Sequence, residues 1–273
     1  MPKTTRKMPS FEGVAANQTA TVRLPIGLTY EQLLITYGAG SGTAAAKLAN
    51  MEELRIIANG EVIHRITDFS KLNSMNQFEG RAAASGVIAF DFNRYGLITR
   101  AAQEFTSLGT GVLEDQRKIT TLTAEIDLGG LSNPTLSVKA HQSAPRPVGL
   151  IKKTKQYIYT AGASGEFSIS DLPKGDAINK IFVGNNAVIG IAKFTIEVDN
   201  FIRYEKTAAE ISLSQTDGIR VPQAGFVVFD PTEQGFGSET LDTAQVQDLR
   251  IRLVLGSAGQ VPITVETIGR PEL

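Results

Sequence analysis

The chain has 273 residues, with 27 basic and 28 acidic side chains and a formal net charge of −1. This balance excludes a global field that would recruit nucleic acid, so we predict no direct, sequence-specific nucleic-acid binding. Cysteine and tryptophan are both missing from the sequence, which excludes disulfides, thiolate metal sites and thiol nucleophiles.

A short basic segment, with Lys3, Arg6 and Lys7, precedes the first strong strand pattern. A disordered terminus is the simpler interpretation. The alternative is an arm that clamps a neighbouring subunit, or that contacts anionic lipid headgroups at about 1 kcal/mol per basic residue. Further on, "GAGSGTAAAK" (38–47) lacks the spacing of a phosphate-binding loop, and we expect it to be a flexible surface loop.

Two stretches predict hairpins with tight turns. "LRIIANGEVIHRIT" (54–67) turns at Asn59-Gly60, and "FTIEVDNFIRYEKT" (194–207) turns at Asp199-Asn200. These residue pairs tolerate the positive backbone angles of a type I′ turn. Each stretch ends in a threonine, Thr67 or Thr207, that is placed to cap a short helix, and Glu210 completes a capping-box spacing with Thr207.

Strict alternation of apolar and polar residues marks "TLTAEIDL" (121–128) and "LRIRLVL" (249–255) as half-buried strands. Each is followed, after a turn that contains glycine, by a further strand pattern, "TLSVKA" (135–140) or "PITVET" (262–267). We therefore expect each half of the chain to end in a hairpin.

The two halves repeat each other in four ordered blocks. The matching residues, with their offsets, are Leu24 with Leu172 at 148; Leu54, Ile56 and Thr67 with Phe194, Ile196 and Thr207 at 140; Gly86, Phe90 and Asp91 with Gly225, Phe229 and Asp230 at 139; and Leu122 to Val138 with Leu249 to Val265 at 127. The sequence thus predicts a tandem duplication of one domain, with boundaries 1–144 and 145–273 and a seam at "HQSAPRPVG" (141–149).

Each half contains about eight short strand patterns, with one or two short helices in its loops. This content predicts an all-β protein of two tandem eight-stranded jelly-roll β-sandwiches. Strand order does not follow from the sequence.

The two histidines do not form a catalytic arrangement. His64 occupies the repeat position that Tyr204 holds in the other half, and we interpret it as a side chain on a strand face. His141 lies at the seam and is interpreted as a linker residue. Without convergent titratable groups, we predict that the chain is not an enzyme.

One loop, "DPTEQGFGSETLD" (230–242), collects Asp230, Glu233, Glu239 and Asp242. Their carboxylates could hold a structural calcium ion, because Ca²⁺ prefers hard oxygen ligands. A solvated acidic loop is the simpler alternative, since the spacing matches no EF-hand. We expect no other cofactor.

Four runs carry a family resemblance. "VAANQTATVRLPIGLTYEQLLITYG", "SLGTGVLEDQRKITTLTAEID", "ISDLPKG" and "QVQDLRIRLVL" resemble, in order, the major capsid protein of corticoviruses, which are tailless bacteriophages with an internal membrane. The resemblance implies a double-jelly-roll coat protein that forms pseudo-hexameric homotrimers. Neighbouring trimers, a vertex (penton) protein and the internal membrane are the implied partners. Lys3, Arg6 and Lys7 are then expected to face that membrane or a neighbour.

The same resemblance implies a location in the virion capsid, after synthesis and assembly in the cytoplasm of the bacterial host. The main alternative is a carbohydrate-binding β-sandwich of lectin type. Sugar platforms usually present exposed aromatic rings, and the lack of tryptophan and the 7% aromatic content argue against it. An enzyme of cupin type would need a histidine cluster that two distant histidines cannot supply.

Overall fold

The computed structural model describes residues 3–111, 118–234 and 239–272. The chain divides into two compact units. The first holds the chain up to Gln77, then Arg81–Thr154 and the residues from Arg270 onward. The second holds Phe78–Gly80 and Lys155–Gly269. The predicted boundary between residues 144 and 145 stays a prediction, because a compact unit and a duplicated repeat are defined by different criteria.

The elements of the first half are β1 (Thr4–Lys7), β2 (Thr19–Arg23), β3 (Thr29–Gly38), α1 (Ala44–Ala49), β4 (Met51–Ala58), β5 (Glu61–Thr67), α2 (Phe69–Phe78), β6 (Val87–Asp91), α3 (Arg100–Glu104), β7 (Leu108–Gly109), β8 (Leu122–Leu128) and β9 (Thr135–Ser143). One sheet has the strand order β1-β9-β3-β6, with the two-residue β7 also paired to β3. The other has the order β5-β4-β8-β2. The inward faces of both sheets share one core, to which Leu33, Val138, Leu54 and Ile126 contribute.

The elements of the second half are β10 (Ile151–Ala161), β11 (Gly165–Ile169), β12 (Ala177–Gly184), α4 (Asn186–Ile189), β13 (Ile191–Val198), β14 (Phe201–Thr207), α5 (Ala208–Gln215), β15 (Phe226–Phe229), a 3₁₀ turn (Pro231–Gln234), β16 (Leu249–Leu255) and β17 (Gly259–Gly269). Its strand orders are β10-β17-β12-β15 and β14-β13-β16-β11. These repeat the two orders of the first half, strand for strand. Among the described residues, and apart from the two-residue β7, each half therefore arranges its strands in two sets of four in jelly-roll order, and the predicted fold class is confirmed.

The two predicted tight turns are confirmed. Asn59 and Gly60 have φ of 50° and 88°, and Asp199 and Asn200 have φ of 49° and 65°. Each pair joins adjacent antiparallel strands, β4 to β5 and β13 to β14. Thr207 also caps α5 as predicted, within a complete capping box.

The predicted hairpins at the end of each half are wrong. β8 pairs with β4 and β2, whereas β9 pairs with β3 and β1 in the other sheet. β16 and β17 are separated in the same way, since they pair with β13 and β12 respectively. Alternation identifies the buried face of a strand but not its hydrogen-bonded neighbour. Both strands therefore fit the pattern while facing each other across the core.

Three local expectations need correction. The cap of α2 is Asp68, not Thr67, because Asp68 adopts φ of 78° and its Oδ1 accepts a hydrogen bond from the backbone N of Ser70 at 2.7 Å. The expected loop at 38–47 contains the start of α1, which Thr43 caps. His141 is not a linker residue, since it lies inside β9 beside Thr5 and Gln32.

Residues Phe78–Gly80 belong to the second unit although they follow elements of the first. The Phe78 ring packs edge-on against Phe182 and Phe226, with ring centroids 5.9 and 6.3 Å apart. The backbone N of Val221 donates to the Phe78 carbonyl at 2.9 Å. Three residues that the repeat assigns to the first half thus complete the packing of the second unit.

No helix in the described ranges is long and apolar enough to cross a membrane.

Candidate assembly surfaces

The predicted acidic loop is not a set of four free carboxylates. Asp230 is fully buried at the end of β15, where its Oδ2 lies 2.7 Å from Nε of Arg220 and 3.3 Å from Nζ of Lys180. Burial alone would raise the pKa of Asp230, but the two cations hold it at about 2. Glu233, also buried, forms an ion pair with Lys206 and accepts hydrogen bonds from side chains of α5.

The other two acidic residues take different positions. Asp242 Oδ1 accepts a hydrogen bond from the backbone N of Ala244 at 2.9 Å, and Glu239 is exposed. Over the ranges that the structure describes, no three or more histidine, cysteine or acidic side chains are placed to hold a metal ion. The structure therefore does not bring the four carboxylates together as ligands, and the calcium site stays a prediction.

Asp230 lies instead at the centre of a buried charged cluster. We call the group Glu79, Lys180, Arg220, Asp230 and Thr232 the Asp230 cluster. Thr232 Oγ1 donates to Asp230 at 2.7 Å and accepts a hydrogen bond from Arg220. Lys180 forms ion pairs with both Glu79 and Asp230. Because the charges balance in pairs, this cluster acts structurally and leaves no side chain poised for chemistry.

Charge interactions shift the ionisation of this cluster strongly. Burial alone would lower the pKa of Lys180, but Asp230, Glu79 and Glu266 together raise it above its ordinary value. Burial raises the pKa of Glu79, although Lys180 partly offsets that effect. The ammonium of Lys180 is therefore the group that this arrangement stabilises most clearly in its charged form.

A related cluster in the first unit was missed at the sequence level. Asp91 accepts hydrogen bonds from Arg81 at 2.9 Å and from Gln32 at 2.6 Å, and we call these three residues the Asp91 cluster. Arg81 precedes Asp91 by the same interval as Arg220 precedes Asp230, so both pairs keep the offset of 139. An arginine repeated at the offset already found for the aspartates was the available signal.

The basic segment is a strand, not a disordered terminus. β1 pairs antiparallel with β9, from Thr4 beside Gln142 to Lys7 beside Lys139. Lys3 Nζ lies 2.5 Å from Glu31 Oε2 and 2.8 Å from Glu104 Oε1. Ion pairing therefore holds Lys3 at the start of the strand, whereas Arg6 remains exposed.

Two of the strands that lie at the end of a sheet, β1 and β14, stand out by their exposure. In the described part of the chain, β1 has only β9 beside it, and β14 has only β13. All four residues of β1 are exposed, and β14 begins with the exposed pair Phe201 and Ile202. An exposed edge with apolar side chains readily adds another strand. These edges are the best candidate assembly surfaces.

His64 is a core histidine, as expected of a side chain on a strand face. Its Nδ1 lies 3.1 Å from Thr154 Oγ1, and its ring packs edge-on against Phe90 at 4.8 Å. Burial, with a contribution from Lys152, lowers its pKa well below the ordinary value. A buried, neutral imidazole packed among aromatic rings is a core side chain, which agrees with the interpretation from the sequence.

Two successive sets of strands in the same jelly-roll order define the double-jelly-roll fold. Residues 5–143 match the family model of the viral coat protein P2 N-terminal domain, and residues 151–271 match that of the viral coat protein P2 C-terminal domain. The chain therefore belongs to the viral coat protein P2 family.

Individual relatives agree with this assignment. The chain is 24% identical over 268 residues to the major capsid protein P2 of Pseudoalteromonas phage PM2. The alignment covers 95% of this chain and 94% of that protein. The crystal structure of P2 from bacteriophage PM2 has a TM-score of 0.88 at 20% identity, over 99% of this chain and 98% of the other. The STIV major capsid protein has a TM-score of 0.70 at 10% identity, over 99% and 98%.

The family confirms the prediction of a viral coat protein located in the virion. It also confirms that the chain is not an enzyme, because the family is one of structural capsid proteins. The lectin alternative receives no support from it.

Proposed function

We propose that this chain is a major capsid protein that forms pseudo-hexameric homotrimers, which tile an icosahedral shell over an internal membrane. The observation that carries the proposal is the duplication. Both halves place their strands in the same two orders, so three copies around a threefold axis supply six similar wedges. A trimer of one protein can therefore occupy a sixfold position of a hexagonal lattice.

The remaining partners follow from the resemblance to corticovirus capsid proteins. We propose a separate vertex protein at the fivefold positions, an internal membrane or its proteins beneath the shell, and synthesis in the host cytoplasm. The net charge of −1 supports a shell without direct contacts to nucleic acid. Of the two roles predicted for Lys3, Arg6 and Lys7, a neighbouring subunit is favoured over lipid, because Lys3 is already neutralised by two carboxylates.

Calcium is retained only as a stabiliser of the assembled particle. Asp230 and Glu233 already have cationic partners, so neither carboxylate is available to an ion in the isolated subunit. EDTA should then lower the stability of particles but leave the unfolding of the isolated subunit unchanged.

Light scattering on the purified protein tests the trimer. A stable species of three times 29.3 kDa, about 88 kDa, is expected, with and without calcium. A persistent monomer at micromolar concentration, in low salt and with calcium, would contradict the proposal.

A further inference from the structure

The duplication gives each strand of one half a counterpart in the other half. Among the residues that the structure describes, two strands lack a neighbouring strand that their counterparts have. In the first unit, β5 has β4 on one side and the start of β10 on the other. β10 is parallel to β5, and Thr154 is paired with His64. The counterpart of β5 is β14. Within the described ranges, β14 has β13 on one side and no strand on the other.

The missing neighbour of β14 has a counterpart in the same chain. β10 lies beside β17, as β1 lies beside β9, and β9 and β17 are counterparts. The letters agree as well: "KTTRK" (3–7) aligns with "KKTKQ" (152–156), which sets Thr5 against Thr154. β1 is therefore the first-half version of the segment that covers β5.

Burial separates the paired edges from the open ones. In β10, Lys152, Lys153 and Thr154 are 9%, 8% and 1% exposed. Their counterparts Lys3, Thr4 and Thr5 are all exposed. On the other strand, Glu61 and Val62 are partly buried, whereas their counterparts Phe201 and Ile202 at the start of β14 are 68% and 54% exposed. β1 is therefore less buried than its counterpart β10, and the start of β14 is less buried than the start of its counterpart β5.

We propose that β1 of one copy adds as a parallel strand to β14 of a second copy, and so repeats between copies the pairing of β10 with β5. This inference rests on the proposed trimer and names its contact. Since Tyr204 holds the position of His64, the register sets Thr5 beside Tyr204 and Arg6 beside Glu205. Arg6 then joins Lys193 as a second cation beside Glu205, which stays 43% exposed in its ion pair with Lys193, and backbone hydrogen bonds complete both edges.

Two features of β1 suit this role. Its pairing with β9 and the ion pairs of Lys3 fix the strand before association, so little chain ordering opposes binding. Because each copy carries one β1 edge and one different β14 edge, the contact is head-to-tail. A head-to-tail contact closes into a ring when the rotation between neighbouring copies allows it, and three copies then use every β1 edge and every β14 edge.

Engineered cysteines test the contact directly, because the chain has none of its own. Neighbouring strands lie about 4.8 Å apart, within the Cα separation that a disulfide spans. The double variant R6C/E205C should give, on oxidation, covalent dimers and trimers and nothing larger on non-reducing gels. The control R6C/L213C, with its second cysteine on the exposed face of α5, should not form this ladder.

A charge exchange provides the second test. Arg6→Glu and Glu205→Lys should each weaken trimer association about tenfold at low salt, and the combined variant should recover it. Arg23→Glu makes the same charge change on an exposed residue of β2 and should have no effect. Unfolding midpoints confirm that each variant is folded.

The outcomes separate this inference from the proposed function. A species of about 88 kDa with no R6C/E205C crosslink, and with no response to the charge exchange, would overturn the strand pairing and leave the trimer standing. A monomer under all conditions would overturn both.

Discussion

The Asp91 cluster of the first unit and the Asp230 cluster of the second occupy the same repeat positions but differ in burial. Arg81 and Asp91 are 20% and 10% exposed, whereas Arg220 and Asp230 are 3% and 0% exposed. At the strand position beside the aspartate, the first unit has Gln32 and the second has Lys180. A neutral amide suffices near solvent, but the buried version adds a second cation and the carboxylate of Glu79.

The difference in burial gives the repeated arginine–aspartate pair a different contribution to stability in each unit. A partly exposed ion pair contributes little, because water competes for both charges. A buried pair leaves an uncompensated charge if one partner is removed, and that loss is large. The helix that precedes each arginine is fixed in the same way in both units. Asn76 and Gln215 each donate to a strand carbonyl at 2.8 Å.

The largest expected effect is the contrast between Asp230→Asn and Asp91→Asn. The first leaves Lys180 with Glu79 and Arg220 with Asp217 as ionic partners, and it should cost about 3 kcal/mol of unfolding free energy. The second should cost about 1 kcal/mol. Guanidinium unfolding, at one protein concentration, measures both. Equal losses would contradict the role of burial.

A smaller loss of stability is expected when Lys180 is replaced by glutamine, the residue that Gln32 provides at this position in the first unit. Lys180→Gln leaves Glu79 without its cation and should cost about 2–3 kcal/mol at neutral pH. Adding Glu79→Gln should recover part of that loss, because the orphaned carboxylate is removed. If the double variant were less stable than Lys180→Gln alone, the assigned ion pair would be wrong.

The pH dependence should follow Asp230. Its pKa of about 2 lies below the ordinary value near 3.9, so its stabilising contribution is complete above about pH 4 and is lost as pH falls towards 2. The loss amounts to about 2 kcal/mol. Other carboxylates also titrate here, so the measurement is the difference between the native chain and Asp230→Asn. Parallel acid profiles would rule out the depressed pKa.

The smallest expected effect concerns the helix caps. Thr207→Ala removes the side chain that accepts from the backbone N of Glu210 and should cost about 1 kcal/mol. Thr207→Ser keeps the hydroxyl and is the matched control. The equivalent change in the first unit is at Asp68, not Thr67. Unchanged thermal unfolding of Thr207→Ala would contradict the cap.

The duplication, the jelly-roll class and the tight turns were all predictable, because they depend on local residue patterns. Asn59-Gly60 specifies a turn by its own backbone preferences, and alternation from Leu122 to Leu128 specifies a buried face. The sheet to which β9 belongs was not predictable in this way. Its partners β3 and β1 lie far away in sequence, and only the assembled sandwich selects them.

The candidate site was harder to predict, for a related reason. Asp230 and Glu233 stand in a glycine-containing polar stretch that suggests exposure, but Arg220, Lys180 and Lys206 reach them from other elements. Likewise, nothing around Lys3 indicates that Glu31 and Glu104 bind it. Charge alone does not specify burial, because the partner decides it.

The membership of Phe78–Gly80 in the second unit has a consequence for the duplicated halves. Today a gene cut at the seam would deprive the second half of the Phe78 ring between Phe182 and Phe226, and of the Glu79 carboxylate beside Lys180. The second copy thus depends on three residues of the first, and removing the first copy is not a simple reversal of the duplication.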